Sequence, residues 1–155
     1  MRSVWWLIAL STVSVQGLVA QAVDRPPVFL RFTDVKWERI LPALGSDSPE
    51  IAILRVDPRT HATQLMIRVP ANFHVTKHWH TANETHTVVS GTFIMDDRGR
   101  RVELGPGSFN YMPGRMVHEA WTRPDQGALL FITVDGAWDV NWVEGPPAPI
   151  VVTRP

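Results

Sequence analysis

From Glu50 to Val143 the chain carries short runs rich in Val, Ile, Thr and aromatic residues, interrupted by Gly, Pro and Asp. Apolar residues at helical spacing are scarce after residue 22. Runs of this kind read as β-strands of a barrel or sandwich. Ten strands are expected: Glu50–Val56, Thr63–Val69, Val75–His80, Glu84–Ser90, Thr92–Met95, Arg101–Leu104, Ser108–Met112, Val117–Arg123, Ala128–Val134 and Asp139–Val143. Asp57-Pro58-Arg59-Thr60 and Asp96-Asp97-Arg98-Gly99 have the residues of tight turns between them. A further edge strand is expected around Phe29–Thr33. Gly145-Pro146-Pro147-Ala148-Pro149 lacks the N–H groups of a central strand, so it should run extended along the surface. The pattern predicts an all-β fold, a double-sheet jelly-roll barrel (double-stranded β-helix) in one domain.

The N-terminus departs from this pattern. Met1-Arg2 is a short basic start, Val4 to Ala20 is largely apolar, and Ala20-Gln21-Ala22 is an A-x-A cleavage site. Residues 1–22 therefore read as a signal peptide cleaved after Ala22, and the mature protein, from Val23, as periplasmic or secreted. The apolar run, broken by Ser11, Thr12, Ser14 and Gln16, is marginal for a membrane span. No stable membrane insertion is expected once it is removed. The remaining organisation is an N-terminal arm over 23–48 with the possible edge strand, a barrel over 49–144 and a Pro-rich tail over 145–155. The 133 residues left of 155 suit one domain and are too few for two barrels.

Charge and composition remove several functions. Without Arg2, 14 basic side chains face 15 acidic ones, with no basic patch for nucleic acid. There is no cysteine, which excludes disulfides, thiolate ligands and cysteine nucleophiles.

One stretch carries candidate chemistry. His78 and His80 are two apart, so on a strand both rings leave the same face. Glu84 reaches the same point if the chain turns back between Thr81 and Asn83, and His118 follows Pro113-Gly114 as a fourth candidate. Imidazoles with one carboxylate are a ligand mix for divalent transition metals. An octahedral ion held by all four keeps two positions open, as catalytic rather than structural sites do.

These residues also carry a resemblance. His78, His80, Glu84 and Gly91 fit the first cupin motif, with Asn72 where its leading glycine is usual. Gly107, Pro113 and His118 fit the second, with the inner glycine one place early at Gly114 and Thr122 in place of the asparagine. The chain resembles the cupins from about Val69 to Val143, and more closely a group of small exported single-domain cupins. The resemblance implies one divalent metal on His78, His80, Glu84 and His118, with Mn or Fe favoured and Ni, Cu or Zn open. It implies a small-molecule substrate or ligand, and an activity among dioxygenases, lyases, isomerases and decarboxylases, the dioxygenase type of oxidoreductase being preferred. The alternative is a non-catalytic metal or small-ligand binding protein.

His86 individualises the chain, because the resembled group tends to carry an apolar residue there. Two places after Glu84, it faces inward on a continuous strand. It is then the candidate catalytic acid–base group, or else a pocket-lining histidine tied to a backbone group. His74 has inward parity but lies near the strand entrance, and His61 sits in a turn; both read as solvated or packing residues. Trp79 and Trp121 face away from their histidine neighbours and suit packing or a homodimer contact, and Lys77 points to solvent. Phe93, Met95, Phe109, Tyr111, Met112 and Phe131 supply the pocket walls, and an inward Tyr111 could orient a substrate.

Overall fold

The computed structural model describes residues 26–97 and 99–148; the expected leader over 1–22, the expected start at Val23 and residues 149–155 of the tail lie outside the described residues. In chain order the strands are β1 Glu38–Arg39, β2 Glu50–Val56, β3 Thr63–Val69, β4 His74–Trp79, β5 Glu84–Gly91 and β6 Phe93–Asp97. They continue with β7 Arg100–Leu104, β8 Phe109–Met112, β9 His118–Thr122, β10 Ala128–Val134 and β11 Asn141–Trp142. Two antiparallel sheets form, in the orders β1-β2-β3-β10-β5-β8 and β11-β4-β9-β6-β7. This is the jelly roll that the sequence pattern predicts.

Alternation along the strands makes the core. In β10, Ala128, Leu130, Ile132 and Val134 are buried while the residues between them are half-buried. Ile132 lies opposite Leu65 of β3 on one side and His86 of β5 on the other. Leu65, Val88, Leu130 and Ile132 are at most 1% exposed and form the centre of the interior. The parity that buries Val88 in β5 also sends Glu84 and His86 inward.

Chain reversals are set by left-handed residues at the motif positions. Gly91, between β5 and β6, has φ +78°, and a Cβ there would lie 1.9 Å from the Gly127 carbonyl oxygen. Gly91→Ala should therefore cost roughly 1–3 kcal/mol of folding stability, read from its urea midpoint against that of the parent. Where the chain departs from motif glycines the backbone keeps the same hand: φ is +55° at Asn72 and +65° at Arg115. Asparagine is the side chain best suited to that region.

Three elements differ from expectation. Phe29–Thr33 is not a strand: residues 26–31 are irregular, Phe32–Asp34 is a 3₁₀ turn, and the edge strand is β1, paired with β2. Only Asn141 and Trp142 of the Asp139–Val143 run pair with β4. The β4–β9 register shifts between Val75 and His78, so parity does not carry back from His78 to His74. His74 faces outward, stacked on Trp121 at 4.9 Å with its Nε2 2.9 Å from Glu119.

Candidate metal centre

The site lies between the two sheets. His78 of β4 and His118 of β9 are register partners, and their ring centroids are 4.3 Å apart. His80, just past the end of β4, sits 4.9 Å from His78 and 5.3 Å from His118. Ligating atoms of these three histidines all lie within 4.8 Å of one another. The chain then crosses to the other sheet through residues 81–83, held by Thr81 N–H to Asp139 Oδ1 (2.8 Å) and Asn83 N–H to Asp135 Oδ1 (3.0 Å). Glu84 opens β5 beneath the histidines, and His86 follows on the same face. Each of these five side chains is at most 7% exposed.

Backbone carbonyls set the histidine tautomers. His78 Nδ1 donates to Thr76 O at 2.8 Å, His118 Nδ1 to Met116 O at 3.0 Å, and His80 Nδ1 to Asp139 O. A carbonyl oxygen can only accept, so each Nδ1 carries the proton and each neutral ring has its lone pair on Nε2. His86 Nδ1 lies 3.0 Å from Asn110 Oδ1 of β8, its register partner.

Glu84 is held at both oxygens. Oε1 accepts the Trp138 indole N–H at 3.2 Å, while Oε2 lies 3.0 Å from His80 Nε2 and 3.2 Å from His86 Nε2. Those two contacts have ion-pair distances without hydrogen-bond alignment, leaving Oε2 buried with no aligned donor. A buried anionic oxygen that faces ring nitrogens in this way is stabilised by a cation between them. The donor set of imidazole and carboxylate fits a divalent transition metal.

Burial, and then the neighbouring His118, hold His78 down to about 3. Burial likewise holds His118 down to about 4. Burial also opposes charge on His80, but Glu84 outweighs it and raises that pKa. Burial opposes the Glu84 charge too; His86 and His80 overcome it and keep the carboxylate ionised well below its usual range. Of the three imidazoles, then, only His80 is shifted toward its protonated form, and its proton is the one a metal must displace. The apparent metal affinity should fall about tenfold per pH unit below the raised His80 pKa, the slope of one proton. His78 and His118 should steepen it only near pH 4 and below. Titration of the metal-free protein with Zn²⁺ across pH, together with proton-release measurements, checks this.

A cavity of about 60 Å³ adjoins the site, walled by Val75, Phe93, Ile132, Val140, Trp142 and, from the arm, Leu41. Phe93, Met95 and Met112 belong to the buried core, and Phe131 is half-buried on the other face of β10. Phe109 and Tyr111 have the opposite parity to Met112 and are 61% and 54% exposed, so the Tyr111 hydroxyl does not serve the cavity. Trp79 is half-buried, Trp121 lies between His74 and the Arg101 guanidinium, and Lys77 and His61 are exposed. Sequence reading misses Trp138, Asp139 and Asn110. Asn110 was within reach, because it shares parity with the inward Met112; Trp138 and Asp139 lie in a loop with no period to read.

Residues 26–136 match the family model described as the ChrR cupin-like domain. An RmlC-like cupin protein from Ralstonia eutropha is 19% identical, covering 72% of this chain and 69% of its own length at a TM-score of 0.61. The polyketide cyclase RemF from Streptomyces resistomycificus is 22% identical, with 80% and 90% covered and a TM-score of 0.66. The anti-sigma ChrR of Rhodobacter sphaeroides, solved in complex with SigE, is 19% identical; 68% of this chain covers 51% of that one at a TM-score of 0.54. At these identities the likeness is one of fold. Among curated proteins none matches the sequence significantly.

Proposed function

The chain belongs to the ChrR cupin-like family, and on that premise we propose that it is an exported mononuclear metal protein. In this reading it acts on a small oxygenated molecule as a dioxygenase-type oxidoreductase. One observation carries the proposal: three histidines with Nδ1 tied to carbonyls present Nε2 lone pairs beside a buried carboxylate, at the base of an apolar cavity. His78, His80, His118 and Glu84 would hold the ion. A divalent ion there, Mn or Fe first and Ni, Cu or Zn after them, supplies Lewis acidity and, where redox-active, a one-electron couple. Trp138 fixes the carboxylate through Oε1, and the aliphatic and aromatic walls exclude water. His86 holds or moves a proton at Nε2, 3.2 Å from Glu84 Oε2, with Asn110 orienting its ring.

The test is metal analysis of protein purified from its native compartment, followed by an oxygen-uptake screen over small oxygenated compounds. We expect about one equivalent of metal per chain and O₂ consumed in step with substrate without added reductant, since both oxygen atoms enter the product. Turnover without O₂ uptake moves the assignment to a lyase, isomerase or decarboxylase. Metal binding without turnover moves it to a binding protein, the reading that the fold likeness to an anti-sigma factor favours. In His86→Val, fold and metal content should persist while turnover drops or loses its pH dependence near neutrality; unchanged rates across that range would leave His86 a wall residue. N-terminal sequencing of exported protein, with Val23 first, tests the localisation.

A further inference from the structure

We infer that the site selects ligands of at most about four or five non-hydrogen atoms carrying no more than one negative charge, short monocarboxylates or their enolate equivalents with an apolar end. The inference rests on the proposed divalent metal and adds to it the size and charge of the cavity. Its volume is about 60 Å³. A water molecule needs roughly 10–15 Å³ on this scale, so the space suits about four or five such centres. The metal takes part of that space.

The charge follows from the wall. Its polar members are His78, His80, Glu84, His86 and His118; every other lining residue is apolar, and no Lys or Arg is among them. A divalent ion with the Glu84 carboxylate has a net charge of +1, which one negative charge on the ligand neutralises. A dianion would bring a second negative charge into an apolar cavity with no guanidinium or ammonium to pair it, a costly burial. Beyond His86 the wall offers an alkyl group contact and holds no Lys or Arg for a second carboxylate. Leu41, half-buried on the arm and held by its N–H to Ser48 Oγ at 2.9 Å, limits the size at the mouth.

The experiment uses Co²⁺ added to the metal-free mature chain, whose visible spectrum reports ligand exchange without turnover. Acetate and propionate should shift the spectrum at concentrations at least tenfold lower than oxalate or catechol require, although both of the latter chelate free Co²⁺ more strongly. Leu41→Ala should improve catechol binding severalfold and leave acetate unchanged. Oxalate or catechol binding as tightly as acetate, or no response to any of the four, overturns the selectivity while leaving the metal site standing. Failure to take up Co²⁺ in equimolar amount overturns the metal reading and this inference with it.

Discussion

Replacing His78 and His80 together by alanine should abolish divalent-metal binding and leave a folded protein. Four protein ligands hold a zinc ion with roughly 10–16 kcal/mol, so two imidazoles account for on the order of 6 kcal/mol, about four powers of ten in affinity. The pair shares one strand and its exit, and each ring is tied by Nδ1 to a backbone carbonyl, His78 to Thr76 of its own strand and His80 to Asp139. Neither His74, turned to the surface by the register shift in β4, nor His61, exposed in its turn, can take their place. Folding should survive because the aliphatic core of Leu65, Val88, Leu130 and Ile132 is built by other strands. Calorimetric titration with Zn²⁺ and far-UV circular dichroism give the two readouts. Full metal occupancy in the folded double variant would sink the assignment.

Strands with an unbroken alternation were legible. β10 follows the hydrophobic period throughout, and the two-residue step from Glu84 to His86 correctly predicts that both face the interior. Parity fails where the strand is not continuous. The bulge in β4 reverses His74 relative to a count back from His78, and nothing in Val75-Thr76-Lys77 announces it. Short edge pairings fail for another reason. β1 is two residues long, too short to show any period, whereas Phe29–Thr33 looks like a strand but has no partner, and Phe29 is 91% exposed. At the other end Asp139 does not continue β11, because its carbonyl accepts from His80 and its carboxylate holds Thr81.

The local part of the site was legible for the same reason, and the long-range part was not. Spacing over seven residues, from the end of β4 through the turn to the start of β5, brings His78, His80 and Glu84 together. Thr76 and Met116, which orient His78 and His118, are two residues away, but the other orienting groups come from far along the chain: Trp138 is 54 positions from Glu84, Asp139 is 59 from His80, and Asn110 is 24 from His86. Such contacts depend on sheet order, which differs from chain order: β10 lies between β3 and β5.

Glu84→Gln should lower metal affinity by two powers of ten or more without unfolding the barrel. The carboxylate is the only anion among the four proposed ligands, and at 1% exposure its charge is felt at low dielectric. The amide keeps the shape, and its oxygen can still accept the Trp138 N–H. Its nitrogen then stands where Oε2 faced the Nε2 atoms of His80 and His86, and an amide N–H there donates to the lone pair the metal needs. The same change removes the partner that raises the His80 pKa, since Glu84 supplies both the contact and the charge that outweigh burial. The His80 pKa should then fall, and the one-proton region of the slope of metal affinity against pH should move to lower pH. A merely structural carboxylate would not alter that slope together with the affinity. Parent-like affinity with the parent's slope in the Gln variant means that Glu84 is not a ligand; weaker binding with the slope intact means that the proton displaced by the metal belongs to another group.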